Sequence, residues 1–183
     1  MPTGQDKNSD PILFRRADLK DASAIAKVHV DSWRTTYAGI VSDDYLANLS
    51  YDKREKTWQD VLSKHESLTF VAETTDRKIV GFVSGGRSRM EEPAYLGEMF
   101  AIYLLKEFQG QGIGKRLVQT LVGWFLDQDI DSMMVWVLRK NPACRFYEML
   151  GGRKIAEKKI DLGGQILNEC AFGWKDLRVF LPN

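Results

Sequence analysis

The run Gln109-Gly110-Gln111-Gly112-Ile113-Gly114-Lys115 is the part of this sequence best suited to holding a charged ligand. An apolar stretch, Met99–Leu105, precedes it. After it, Ile113, Leu117, Val118, Leu121, Val122 and Phe125 recur at helical spacing. Alternating glycines between a strand and a helix let the backbone pass close to a bulky group. Their N–H groups, at the positive end of a helix dipole, suit an anion such as a pyrophosphate.

Three glycine templates decide which ligand is meant. The nucleotide P-loop fails, because Gln109 stands where its first glycine belongs and Arg116 where it needs Ser or Thr. The dinucleotide fingerprint fails at Lys115, and Arg139 rather than an acidic residue ends the next strand. The pattern Q/R-x-x-G-x-G/A is met by Gln109, Gly112 and Gly114. Beyond the next apolar stretch comes Asn141, then Ala143-Cys144, Phe146-Tyr147-Glu148 and Leu150-Gly151. In these two elements the chain resembles the GNAT superfamily of N-acetyltransferases, and the resemblance extends from about Ile12 to Trp174. It departs from the family pattern at Ala143, one position early, and at Gly152, where an aromatic is usual.

The resemblance implies a reaction and a set of roles. Acetyl-CoA would lay its pantetheine arm along the strand near Ile102, Tyr103 and Leu104, with its pyrophosphate on the N–H groups of Gln109–Lys115. Tyr147 would be the acid that protonates the departing thiolate, and Asn141 would hydrogen-bond the cofactor arm or cap the helix that follows. A backbone N–H near Leu104 would stabilise the oxyanion. Trp33, Tyr37 and the Glu91-Glu92 loop are the expected acceptor pocket, since aromatics and carboxylates suit a cationic amine. Lys115, Arg116, Arg139, Lys140 and Arg145 either surround the cofactor's phosphates or form a solvated basic surface. The closing hairpin is a place where relatives of this type often form a homodimer.

Glu98 is the candidate base on the residues alone. It begins an apolar strand, and by period-two alternation it shares a face with Phe100 and Ile102, where partial desolvation favours proton transfer. The alternative is a strand-end carboxylate reaching water. The rivals to an acetyl transfer enzyme are a non-catalytic acyl-CoA-binding module and, less favoured, a nucleotide-binding oxidoreductase.

The elements that must position these residues follow from the pattern. Ile12–Arg16 reads as a strand, and Asp18 and Asp21 offer caps to a helix over Ala22–Trp33. A short helix begins near Ser42-Asp43-Asp44, and a longer one runs from Asp52 to about Lys64. Leu68–Ala72 and Lys78–Ser84 read as a hairpin, and Arg87–Ala94 as a loop. Ser132–Leu138 is a buried strand parallel to the one before the glycines. Ile155–Leu162 and Gln165–Trp174 close the chain as a hairpin turned at Gly163-Gly164. With the resemblance, this predicts an α/β (α+β) fold: a mixed, mostly antiparallel sheet of about six to seven strands with a splayed parallel pair and about four helices. Residues 11–177 are expected as one domain, with tails at 1–10 and 178–183.

Composition narrows the partners. The chain has 183 residues and a net charge of +1, so no global field draws it to nucleic acid or an anionic membrane. No apolar segment reaches the roughly 20 residues of a membrane span. Cys144 and Cys170 lack metal-ligand spacing and read as reduced thiols of a cytoplasmic protein. His29 and His65 have no partners at catalytic spacing, and metal binding has no support. The expected partners are acetyl-CoA and a small-molecule or peptide amine.

Overall fold

In the computed structural model, which describes residues 11–64, 67–90 and 94–181, a seven-stranded sheet carries the molecule. The strands are β1 (Leu13–Arg16), β2 (Leu68–Glu73), β3 (Ile79–Arg87), β4 (Gly97–Leu104), β5 (Met133–Leu138), β6 (Arg153–Leu162) and β7 (Gln165–Trp174). Their spatial order is β1-β2-β3-β4-β5-β7-β6, antiparallel everywhere except at β4–β5. Five helices are described: α1 (Ala22–Thr36), α2 (Asp43–Ala47), α3 (Tyr51–Ser63), α4 (Ile113–Asp127) and α5 (Ala143–Met149). None is long and apolar enough to cross a membrane.

The apolar periodicities sort the helices onto two faces. Leu117, Val118, Leu121, Val122 and Phe125 of α4 are wholly buried and pack on Val83, Met99, Val135 and Val137. On the opposite face Ile25, Ala26 and Val28 of α1, with Trp58 of α3, cover Val71 and Phe82. Asp18 caps a single 3-10 turn, Leu19–Asp21, ahead of α1. Asp21 does not cap α1; its carboxylate accepts the Asp18 N–H at 2.9 Å, completing a capping box with Asp18, and binds Arg15 at 2.7 Å.

Several boundaries differ from expectation, among them the end of α1 at Thr36 rather than Trp33 and the start of β6 at Arg153 rather than Ile155. Arg87 belongs to β3 rather than to the loop, and the Glu91-Glu92 loop and His65 lie outside the described residues, as does the 1–10 tail. After residue 177 the chain does not run free: Leu177–Phe180 form a 3-10 turn that buries Leu177 and Phe180 in the α4 core. Gln119 Nε2 donates to the Phe180 carbonyl at 3.3 Å, so the packed chain ends later than the sequence indicated.

The feature that makes a site is the parallel pair. β4 and β5 are in register only at Gly97↔Met133 and Glu98↔Met134. Beyond those pairs they diverge, and the β5-facing backbone groups of β4 have no ladder partner there. A buried backbone group left so would be costly, which marks the gap as a place for an extended ligand.

Candidate active site

The glycine loop closes one end of the gap. Gly112 takes φ 80° as the residue capping α4, and Gly110 takes φ 75°, both in the left-handed region that glycine favours. The first helical bond of α4 is Arg116 N–H to the Gly112 carbonyl, which leaves the N–H groups of Ile113, Gly114 and Lys115 for a ligand. Ile113 is itself buried, so it offers the ligand only its backbone. Gln109 Nε2 donates to the Leu104 carbonyl at 3.0 Å, tying the loop to the end of β4. Gln111 is turned away, donating to the Glu107 carbonyl at 2.9 Å.

Gly114 tests whether a phosphate ligand fits. A Cβ there would meet only the Phe146 ring, at 3.5 Å, an ordinary contact. Nothing in the protein's own packing requires glycine at this helical position, where it costs about 1 kcal/mol relative to alanine. Glycine there leaves room for a group that approaches the helix end closely. The residues present fit a pyrophosphate, and Lys106 and Lys115 line the same cavity.

From this loop a cavity of about 600 Å³ runs through the splay. Ile102, Tyr103 and Leu104 form one wall, and Asn141 and Tyr147 the other. Tyr147 is buried among Phe172, Trp174 and Phe146, and its hydroxyl has no hydrogen-bond partner among the described residues. Burial pushes the phenol well above its ordinary value, so it keeps its proton. Trp174 Nε1 donates to the Leu150 carbonyl at 2.9 Å and fixes the far end of α5.

Glu98 is placed differently from the expectation. The β3–β4 register pairs Ser84 with Ala101 and Gly85 with Met99, so Phe100 is bulged out of the ladder. The bulge inverts the alternation: Met99 and Ile102 face the α4 core together, whereas Ala101 and Tyr103 face α1. Glu98 therefore does not share a face with Ile102. It is 3 % exposed, does not line the cavity, and has both oxygens engaged by Arg89, through Nε at 3.1 Å, through Nη2, and through the backbone N–H at 3.2 Å. The Arg89 guanidinium also lies 4.4 Å over the Phe100 ring. Glu98 braces the strand end.

Tyr37 lines the cavity, but its hydroxyl is taken up by the protein. It accepts a bond from Asn141 Nδ2 at 3.0 Å, while Asn141 Oδ1 accepts the Ala143 N–H at 2.9 Å. Trp33 is packed on Tyr37 at 4.5 Å between ring centres and is not on the cavity wall. Its buried indole N–H has no hydrogen-bond partner among the described residues. His29 is stacked on Tyr103 at 4.7 Å and accepts from Trp58 Nε1 at 3.2 Å through Nδ1; burial lowers its pKa to about 3.

Of the residues singled out in the sequence, the cavity gathers Tyr37, Ile102, Tyr103, Leu104, Gln109, Gly110, Gly112, Gly114, Lys115, Asn141 and Tyr147. It leaves out Glu98, Trp33, Gln111, Ile113 and the exposed Arg145. It adds Thr35 and Thr36 of α1, Phe100 at the bulge and Trp136 of β5. Trp136 alternates with the core residues Val135 and Val137, a signal visible in the sequence once both faces of the sheet are assigned. Cys144 and Cys170 are free thiols 3.8 Å apart, and burial together with its neighbour pushes Cys144 up to about 12. Among the described residues no cluster of His, Cys, Asp or Glu is arranged to hold a metal.

Comparison with known proteins bears directly on this geometry. Residues 28–151 match the family described as Acetyltransferase (GNAT) family. An uncharacterized N-acetyltransferase of Bacillus subtilis (strain 168), YuaI, is 41% identical over 166 residues, covering 91% of this chain and 94% of that protein. A spermidine N(1)-acetyltransferase of Thermoplasma acidophilum is 24% identical over 150 residues, 80% of this chain and 90% of its own. The solved PaiA N-acetyltransferase of Thermoplasma acidophilum, in complex with coenzyme A, superimposes with a TM-score of 0.63 at 23% identity over 87% of this chain and 98% of its own. A gap between parallel strands, opening onto a glycine-capped helix, is thus joined by sequence to a known group: the chain belongs to the GNAT acetyltransferase family.

Proposed function

We propose that this protein transfers the acetyl group of acetyl-CoA to a primary amine, by direct attack within a ternary complex. The observation that carries the reading is the open β4–β5 gap, which runs from the free N–H groups of the glycine loop to the unpartnered Tyr147 hydroxyl. The coenzyme A bound to the Thermoplasma neighbour supports the same co-substrate here.

The chemistry asks little of the protein beyond placement. The neutral amine attacks the thioester carbonyl, the carbonyl π electrons move to oxygen, and the C–S bond breaks as the carbonyl reforms. An unpaired β4 N–H beyond Glu98 would stabilise the oxyanion, worth about 3–4 kcal/mol for one well-placed donor. Tyr147, kept protonated by burial, gives its proton to the departing thiolate. With Glu98 locked to Arg89 and off the cavity, the acceptor's proton leaves through water rather than a carboxylate. The acceptor is a small-molecule or peptide amine, entering from the α1 face, opposite α4.

Calorimetric titration with acetyl-CoA, followed by thiol release against a panel of amines, tests this. Binding together with thiol release is expected, and Tyr147→Phe should lower kcat about 100-fold or more at unchanged acetyl-CoA affinity. Binding without release for any amine would leave an acyl-CoA sensor, and unchanged turnover in Tyr147→Phe would remove that residue from the acid role.

A further inference from the structure

Tyr37 stands where the acceptor was expected to be recognised, yet its hydroxyl belongs to a bond between the two halves of the molecule. α1, which Tyr37 caps, packs with β3 and β4; Asn141 leads from β5 into α5. Between these halves the backbone ladder stops at Glu98↔Met134. The Asn141 Nδ2–Tyr37 bond, 3.0 Å long, buried and spanning 104 positions of sequence, crosses the gap where no backbone pairing does.

The bond also fixes an orientation. An asparagine amide has one acceptor oxygen and two N–H donors. Here the oxygen takes the Ala143 N–H and one donor takes Tyr37, so the amide cannot turn over without breaking both. The second N–H has no partner among the described residues, and Asn141 lines the cavity together with Ile102 and Leu104. A buried N–H that lacks a partner is costly, and an amide carbonyl of an extended ligand would satisfy it.

We propose that Tyr37 is a positioning residue for the co-substrate: it locks the Asn141 amide so that its free N–H meets the amide-bearing arm of acetyl-CoA, and it plays no part in recognising the acceptor. This rests on the acetyl-CoA reading above. Tyr103 keeps its hydroxyl beside that of Tyr37, and both phenols are held above their ordinary values by burial, so the bridge stays neutral through the working pH range.

The test is a double-mutant cycle on acetyl-CoA affinity, measured by calorimetry on the full chain. Tyr37→Phe and Asn141→Ala should each weaken binding about tenfold, and the double variant should be no weaker than Asn141→Ala alone. The acceptor KM of Tyr37→Phe should equal that of the wild type. Asn141→Asp guards against a misfolded Tyr37→Phe, since a carboxylate can accept from Tyr37 and Ala143 but offers no N–H. It should keep the melting temperature and lose the affinity. Additive losses, or a raised acceptor KM at unchanged acetyl-CoA affinity, would overturn the proposal. If the wild type binds no acetyl-CoA, the functional reading itself falls, and that is seen before any variant is made.

Discussion

The two ends of the β4–β5 pair are built on opposite terms. At the closed end the strands are in register, and the glycine there is demanded by the protein: a Cβ on Gly97 would sit 2.9 Å from Ile130 Cγ2 and 3.1 Å from the Ser132 carbonyl. At the open end, a Cβ on Gly114 would find only an ordinary contact. One glycine lets the chain touch itself, and the other leaves room for something else. The charges divide in the same way. Glu98 at the closed end is bound on both oxygens, whereas Lys106 and Lys115 at the open end face the cavity.

Substitutions at the two ends should therefore fail differently. Gly97→Ala is expected to cost about 2–3 kcal/mol of stability through overpacking, seen in the denaturant midpoint. A wild-type midpoint would mean that the closed end yields more readily than its contacts imply. Beneath the open end, His29 gives a pH signature. Its folded pKa of about 3 lies below the 6.5 of the unfolded chain, so the unfolded state binds the extra proton as pH falls below 6.5. Stability should drop by about 2 kcal/mol between pH 6.5 and 5, and His29→Gln should flatten that slope. An equal slope in the variant would locate the acid sensitivity elsewhere.

Gly114→Ala should do the reverse of Gly97→Ala. It is expected to raise stability by about 0.5–1 kcal/mol while weakening acetyl-CoA binding about tenfold. Loss of stability without loss of affinity would erase the distinction between the two glycines. The smallest effect is expected for Glu98→Gln: no more than about 0.5 kcal/mol, because the Arg89 side chain is 68% exposed and its attraction is screened. The acidic limb of the pH–rate profile should survive in that variant, and its disappearance would return Glu98 to the role of base.

Most of the frame was legible because its signals are local. The α4 stripe, the β5 run, the Gly163-Gly164 turn and the order of strands follow from periodicity and punctuation, and the Gln109–Lys115 loop announces itself by composition. What escaped is set by partners distant in sequence. The bulge at Phe100 carries no glycine or proline to mark it, and that one extra residue moved Glu98 to the other face. Arg89 reaches Glu98 around a loop, and Tyr37 meets Asn141 only because the sheet brings together two ends of α-helices 104 positions apart. Side-chain roles across a gap depend on the gap's width, which no single segment encodes.

The short β4–β5 ladder has a consequence for how the molecule comes to exist. All of β1–β4 lies before residue 105 and all of β5–β7 after residue 132, so each half of the sheet is assembled from one continuous piece of chain. The cavity takes Tyr37 and Ile102 from the first piece and Asn141 and Tyr147 from the second. Neither piece contains a site. A complete cavity is therefore a property of their docking, reached only when two residue pairs meet in register and α4, the link between the pieces, has settled across both.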